Sequence, residues 1–70
     1  MKKIESPVSG KIQEYMVKAG DQIVEGQEVA MIESMKMEIP VVADATGIVS
    51  RLCFEVGATV TEGEVLIELS

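Results

Sequence analysis

The sequence predicts a small all-β domain, either a sandwich or a barrel. Short runs of β-branched and other apolar residues are bounded by Gly, Pro or Asp at intervals of about ten residues, which is typical of this fold class. A second observation is an internal repeat, in which residues 10–26 align with residues 47–63 without a gap. With 70 residues, the chain is long enough for one domain with a modest core.

The repeat has a constant offset of 37 positions. Three glycines of the first copy fall on glycines of the second copy. A short apolar run that ends in Glu follows each copy, at residues 29–33 and 65–68, although the spacers before these runs differ in length. The chain therefore consists of two copies of one half, and we predict a single domain, 1–70, with half-repeats at about residues 1–35 and 36–70.

Turn residues divide each half into short strands. Glycines mark turns or bulges that need a positive φ or a close backbone approach, and Glu-Gly before each last strand predicts a tight turn. Residues 30–39 are rich in helix formers, but the stretch is barely long enough for a helix and Pro40 would end it. We therefore predict two strands, at residues 29–33 and 38–42, that are joined by a hairpin.

The two halves are expected to share one core. Neither half carries enough apolar surface to fold alone, so the halves would face each other about a pseudo-twofold axis. The residues predicted to form the shared core are Ile12, Val17, Ile23, Val29, Met31, Val49, Phe54, Val60, Val65 and Ile67.

Composition excludes several classes of function. Twelve acidic and six basic side chains give a net charge of −6, and the lysines are scattered, which argues against nucleic acid and membrane partners and favours a protein partner. The sequence has no His, and its single Cys53 aligns with Met16 in the repeat and is expected to pack. We therefore predict neither a metal site nor a catalytic thiol. Because no apolar run has the length of a membrane span or the pattern of a signal peptide, we expect a soluble cytoplasmic protein.

Lys36 stands out because of its place in the repeat. The positions 37 residues before and after it lie just beyond the two ends of the sequence. A closed twofold structure would therefore place Lys36 on the hairpin that joins the halves, at the opposite end from both termini. Met35 and Lys36 would form the turn, although two-residue hairpin turns strongly prefer Asn-Gly, Asp-Gly or Gly-Gly. A local rule that is broken in this way indicates a functional site.

The segment ESMKM at residues 33–37, between two glycine-patterned halves, resembles the attachment motif of biotinyl domains, the biotin carboxyl carrier family. The resemblance covers essentially the whole chain and is greatest to free-standing biotin/lipoyl attachment proteins. It implies a flattened eight-stranded barrel of two four-stranded antiparallel sheets, with the lysine on an exposed hairpin. Two features depart from the family: Ser34 stands where Ala is most common, and no long insertion separates Gly10 from Gly20.

The same resemblance implies a carrier without its own catalytic site. A biotin protein ligase would attach biotin covalently to Lys36. The attached group would then carry a carboxyl group between the biotin carboxylase and carboxyltransferase components of a carboxylase. A monomer would suffice for this role. The expected flanking recognition residues are Met35 and Met37, with weaker contributions from Glu33, Ser34 and Glu38.

Other functions stay open on the sequence alone. A lipoyl carrier of the 2-oxo acid dehydrogenase or glycine cleavage type, modified by a lipoyl ligase, would share the fold and the hairpin lysine. A protein that accepts both cofactors is another alternative. Lipoyl domains usually have Asp before the lysine and a small or β-branched residue after it, and Met35 and Met37 match neither. An unmodified adaptor is a further alternative. A Cu(I) site formed with Met31 is disfavoured, because no Cys or His joins the thioethers.

Overall fold

A computed structural model of the chain describes residues 2–70, which form eight strands and no helix. No helix that could cross a membrane is therefore found in this part of the chain. The all-β prediction is confirmed, and residues 30–39 form the arms of a hairpin. The strands are β1 (Lys2–Glu5), β2 (Gly10–Tyr15), β3 (Gln22–Ile23), β4 (Glu28–Ser34), β5 (Met37–Val42), β6 (Gly47–Leu52), β7 (Thr59–Val60) and β8 (Val65–Leu69).

The strands form two four-stranded sheets with the orders β1-β8-β6-β3 and β5-β4-β2-β7. All neighbouring strands are antiparallel. Each strand of the first sheet has a counterpart in the second sheet that lies four strands earlier or later in the chain: β1 corresponds to β5, β8 to β4, β6 to β2 and β3 to β7. This is the pseudo-twofold arrangement predicted from the repeat, with the two four-stranded sheets that the family resemblance implied, and that prediction of the fold is confirmed.

Strand pairing shows that the offset of 37 extends through the last strand of each half. Ile32 pairs with Ile39, and the residues 37 positions away, Leu69 and Lys2, pair with each other. The closing apolar runs are therefore in register without a change of spacer. The expectation that the spacers differ in length is therefore wrong. It compared the two runs by their final glutamates, and these glutamates do not occupy equivalent positions in the two sheets.

The core lies between the two sheets. Seven of the predicted core residues are buried: Ile12, Val17, Ile23, Val29, Val49, Val60 and Ile67. The prediction was wrong for Met31 and Val65, which are only half-buried, whereas Phe54 is half-buried but packs against the core. On β4, Met31 lies between buried Ala30 and Ile32, so alternation along the strand turns its side chain to the other face of the sheet. Buried residues that the prediction omitted are Ile4, Ala30, Ile32, Val41, Ala43, Leu66 and Leu69.

Two glycine features fix the positions of the strands around the central hairpin. Gly26 and Gly63 have φ values of 93° and 92°. Gly26 donates its N–H to the carbonyl oxygen of Ala43, just after β5, at 2.8 Å, and Gly63 donates to that of Ser6, just after β1, at 2.9 Å. These are the two Glu-Gly turns predicted from the sequence. Gly10 instead allows the backbones of β2 and β4 to approach closely, because a Cβ there would clash with the carbonyl oxygen of Glu33 on β4. The β2 backbone thus packs directly against the outer part of the hairpin.

Candidate attachment site

The hairpin between β4 and β5 closes in two residues. Ser34 pairs with Met37, which leaves Met35 and Lys36 as the turn. Their φ values are 53° and 65°, and they are the only residues other than glycine with a positive φ within residues 2–70. Two successive left-handed residues are the signature of a type I′ turn. The left-handed conformation costs about 1–2 kcal/mol for each residue that carries a Cβ, so the unusual turn inferred from the sequence is strained in the structure.

Core residues below the turn hold the hairpin in this conformation. Ile32 on β4 and Val41 on β5 are 0% and 1% exposed. A slip of one residue in the pairing would turn such side chains to the opposite face of the sheet. Sequence reasoning missed both as core residues, although counting back from the predicted turn pairs Ile32 with Ile39 and alternation would have indicated an inward position. The burial of these residues fixes the register and therefore the length of the turn.

The side chains at the tip point away from the body of the protein. Met35 is 91% exposed and Met37 is 62% exposed, and Lys36 is also exposed. Within residues 2–70, none of the side chains of residues 33–38 makes a hydrogen bond or an ion pair. The tip therefore presents an unpaired lysine between two exposed thioethers on a convex surface.

Charged side chains flank the tip lower on the hairpin. Glu33 and Glu38 are both exposed and lie directly opposite each other on β4 and β5. Like charges in such a cross-strand pair destabilise a sheet. On the other side of β4, Lys11 of β2 is the residue paired with Glu33, and its charge partly offsets this repulsion. The hairpin thus carries an unfavourable charge pair as well as a strained turn.

The structure brings all six predicted site residues together on one hairpin: Glu33, Ser34, Met35, Lys36, Met37 and Glu38. Ser34 is half-buried and the other five are exposed. Their part in cofactor attachment stays a prediction.

Metal binding has no support at the hairpin. Within the described residues, no cluster of three or more His, Cys, Asp or Glu side chains is placed to hold a metal ion. Met31 lies three residue pairs below the Ser34–Met37 pair, a distance of roughly 10 Å at the usual rise of a strand. The three thioethers of the alternative Cu(I) site are therefore spread along the hairpin.

One groove of the fold lies away from the tip. A groove of about 330 Å³ runs along the seam between the edge strands β1 and β5, with residues from both strands and the loops that follow them in its walls. None of residues 33–38 lines it. Pro40 lies in the edge strand β5, where the missing N–H of proline disfavours pairing with a strand of another chain.

The tip itself has a different shape from the groove. A lysine on a convex tip is suited to enter the active site of another protein.

One polar contact inside the fold joins the halves far from the tip. The Tyr15 hydroxyl donates to the carbonyl oxygen of Phe54 at 2.8 Å. Burial raises the pKa of Tyr15, the hydrogen bond to Phe54 lowers it, and the neighbouring Cys53 raises it further. Cys53 is half-buried, which agrees with the packing role expected for it.

Comparison with known families shows which family the chain belongs to. The family model described as "Biotin-requiring enzyme" matches residues 2–69. The chain belongs to the biotin/lipoyl attachment family. A Bacillus subtilis member, called a biotin/lipoyl attachment protein, is 57% identical over 63 residues, which are 90% of this chain and 86% of that protein.

Other family members form parts of much larger proteins. The human mitochondrial propionyl-CoA carboxylase alpha chain is 42% identical over 66 residues, which are 94% of this chain but 9% of that protein. Among solved structures, the urea carboxylase of Kluyveromyces lactis matches with a TM-score of 0.90 and 26% identity, over 99% of this chain and 6% of that chain. The biotin/lipoyl domain thus occurs both alone and within carboxylases.

Proposed function

We propose that this protein is a biotin carrier, modified on the Nζ of Lys36 by a biotin protein ligase. The observation that supports it best is the hairpin of this family member, in which an unpaired lysine stands at the centre of an exposed and strained turn. Surface hairpins without such a role are expected to have turn residues that suit the turn. Here the fold keeps two residues that do not.

The chemistry asked of Lys36 is the formation of one amide bond. Its unprotonated amine attacks the carbonyl carbon of an activated biotinyl-adenylate in the ligase. A C–N bond forms, the C–O bond to the phosphate breaks, adenosine monophosphate leaves, and the amine gives up a proton. The chain supplies the nucleophile and its orientation, while the ligase supplies the activated acyl group. The amine of Lys36 makes no hydrogen bond or ion pair with any group of residues 2–70, so it is free to enter a cleft of another protein.

The attached biotin would supply the capacity to accept and donate a carboxyl group. The part of this chain would be to hold that group on a flexible lysine stem and to deliver it to biotin carboxylase and carboxyltransferase components. These partners would bind the carrier without a covalent link if it acts alone, as its free-standing relatives suggest. We also propose a cytoplasmic location, where such components would be available.

The residues on either side of Lys36 favour biotin over lipoate. Met35 and Met37 are exposed thioethers, and flexible, polarizable side chains suit adaptable contact surfaces. A lipoyl carrier is the second candidate, because the family includes attachment proteins named for both groups. Its test is the same lysine offered to a lipoyl ligase.

The proposal predicts that Lys36 is the modified residue. We expect a purified biotin protein ligase, with biotin and ATP, to add one biotin to the protein, and peptide mass spectrometry to locate it on Lys36. The variant Lys36→Arg should accept none while its thermal unfolding is nearly unchanged, because surface substitutions usually alter stability by less than about 0.5 kcal/mol. Biotin found on Lys3, Lys11 or Lys18 instead would contradict the assignment. Faster transfer of lipoate than of biotin would favour the second candidate.

A further inference from the structure

We propose that the two methionines beside Lys36 form a site of reversible oxidation that controls the modification of the lysine. A peroxide converts the thioethers of Met35 and Met37 to sulfoxides, and the oxidised tip is a poor substrate of the biotin protein ligase. This inference rests on the proposed function and adds a means of regulating the same site.

The methionines of the described chain differ in how far solvent reaches them. Met35 is 91% exposed and Met37 is 62% exposed, whereas Met16 is 42% exposed and Met31 is half-buried. A peroxide must contact the sulfur that it oxidises, so the most accessible thioethers react first. Within residues 2–70, the two most exposed methionines are therefore the two that flank Lys36.

Strand pairing explains why the sheet shelters Met31 and leaves the tip open. Met31 pairs with Glu14 on one side and with Pro40 on the other, and side chains that lie opposite each other on neighbouring strands cover one another. Met37 pairs on one side only, because β5 is an edge strand. Met35 lies in the turn beyond the last pair of the hairpin. The position of each methionine in the sheet thus sets its access to an oxidant.

The oxidation adds one oxygen atom to each sulfur. A lone pair of the thioether attacks one oxygen of hydrogen peroxide, an S–O bond forms, the O–O bond breaks, and the second oxygen leaves as water after proton transfer. The sulfur is oxidised and the peroxide is reduced. Methionine sulfoxide reductases reverse the change with a dithiol as reductant, which becomes a disulfide while the oxygen leaves as water. The modification can therefore act as a switch.

Oxidation changes the surface that the ligase meets on either side of Lys36. A thioether is apolar and adaptable, whereas a sulfoxide is polar and chiral. A ligase cleft that covers the tip must then remove water from the sulfoxide oxygen without supplying a prepared partner, which slows the reaction. Because Met35 and Met37 lie outside the core, the fold itself should tolerate the oxidation.

The first test oxidises the protein with hydrogen peroxide, removes the excess with catalase, and then measures biotin transfer by a purified ligase. Peptide mass spectrometry should find sulfoxide on Met35 and Met37 before Met31. We expect kcat/KM to fall about ten- to a hundred-fold, the usual effect of burying an unpaired polar group. Both classes of methionine sulfoxide reductase together should restore the rate, whereas the dithiol alone should not. Urea unfolding should show that the oxidised protein remains folded.

The second test uses variants to show which sulfurs matter. The double variant Met35→Leu and Met37→Leu removes the sulfurs of the tip and keeps apolar side chains of similar size. It retains Cys53, which peroxide also attacks. Met16→Leu is the matched control, because Met16 follows β2 at the end away from the tip. Compared with its own untreated rate, the oxidised double variant should react as fast as before, whereas oxidised Met16→Leu should slow as the parent does.

The outcomes separate this inference from the proposed function. An untreated parent that the ligase does not modify refutes the proposed function, and the control by oxidation with it. A parent that is modified equally fast before and after both tip methionines are oxidised refutes the oxidation site alone. So does an equal loss of rate in the oxidised double variant, or a loss that the reductases do not reverse. A loss that the reductases reverse in the parent and that the double variant lacks supports the inference.

Discussion

The turn at Lys36 and the two tight turns at residues 24–27 and 61–64 reverse the chain with opposite choices of residue. In the tight turns, Gly26 and Gly63 take the positive φ, at 93° and 92°. The side chain after each glycine accepts a hydrogen bond from a backbone N–H three residues earlier in the chain, at 3.1 and 2.6 Å. Both turns therefore combine a residue that suits the conformation with a side chain that satisfies the backbone.

The tip has neither device. Met35 and Lys36 adopt a positive φ with a Cβ in place, no side chain of residues 2–70 caps the turn, and Met35 is 91% exposed. The tight turns have to be stable by themselves, because only the fold depends on them. The tip is held by the core residues of its two arms, and its own residues are free to serve a partner at some expense of stability. The tight turns thus contribute to the stability of the fold, whereas the tip turn depends on the rest of the fold for its conformation.

The largest effect is expected from changing the residues that flank Lys36. The double variant Met35→Asp and Met37→Ala, which gives lipoyl-like flanks, should lower the initial rate of biotin transfer by roughly ten- to a hundred-fold. Asp introduces a charge that the biotin ligase must desolvate without a prepared partner, and the loss of Met37 removes apolar contact area. The same variant should gain acceptance by a lipoyl ligase.

Initial rates with both purified ligases, on the parent and the double variant, test this expectation. Because both residues lie outside the core, the variant should unfold at nearly the parent's urea concentration, which serves as the control for folding. Equal rates of biotin transfer to both proteins would show that the methionines do not govern the choice of ligase.

The tight turns and the position of Lys36 at the tip were predictable from the sequence, for identifiable physical reasons. Glycine spacing revealed the tight turns, and the repeat placed Lys36 on a two-residue hairpin with unsuitable residues. The inward position of Ile32 and the outward position of Met31 were not predicted, because residues 29–32 are all apolar and give no alternation to read. The opposition of Glu33 and Glu38 follows from the register, which only a fixed turn length determines.

Glycine substitutions should reveal the contrast between the two kinds of turn as effects of opposite sign. Gly63→Ala should lower the free energy of unfolding by about 1–2 kcal/mol, because φ is 92° there, although the added Cβ would meet no other part of the described chain beyond its sequence neighbours. Met35→Gly should raise it by up to about 1 kcal/mol, since relief of strain is partly offset by the greater freedom of glycine in the unfolded chain. Urea unfolding of both variants gives the two values on one scale. A loss of stability in Met35→Gly would mean that the tip is not strained.

The smallest effect concerns the charge pair below the tip. Glu38→Gln removes the repulsion between the carboxylates of Glu33 and Glu38, which lie directly opposite each other, and should raise the free energy of unfolding by about 0.2–1 kcal/mol at low salt. The gain should shrink as salt screens the exposed charges. Glu14→Gln is a matched control, because Glu14 is an exposed strand glutamate that pairs with Met31 and faces no carboxylate across the sheet. Urea unfolding at low and high ionic strength measures both variants. If Glu38→Gln gains no more stability than Glu14→Gln at low salt, the opposed carboxylates do not strain the hairpin, and the turn at Met35 and Lys36 alone accounts for the difference between the tip and the tight turns.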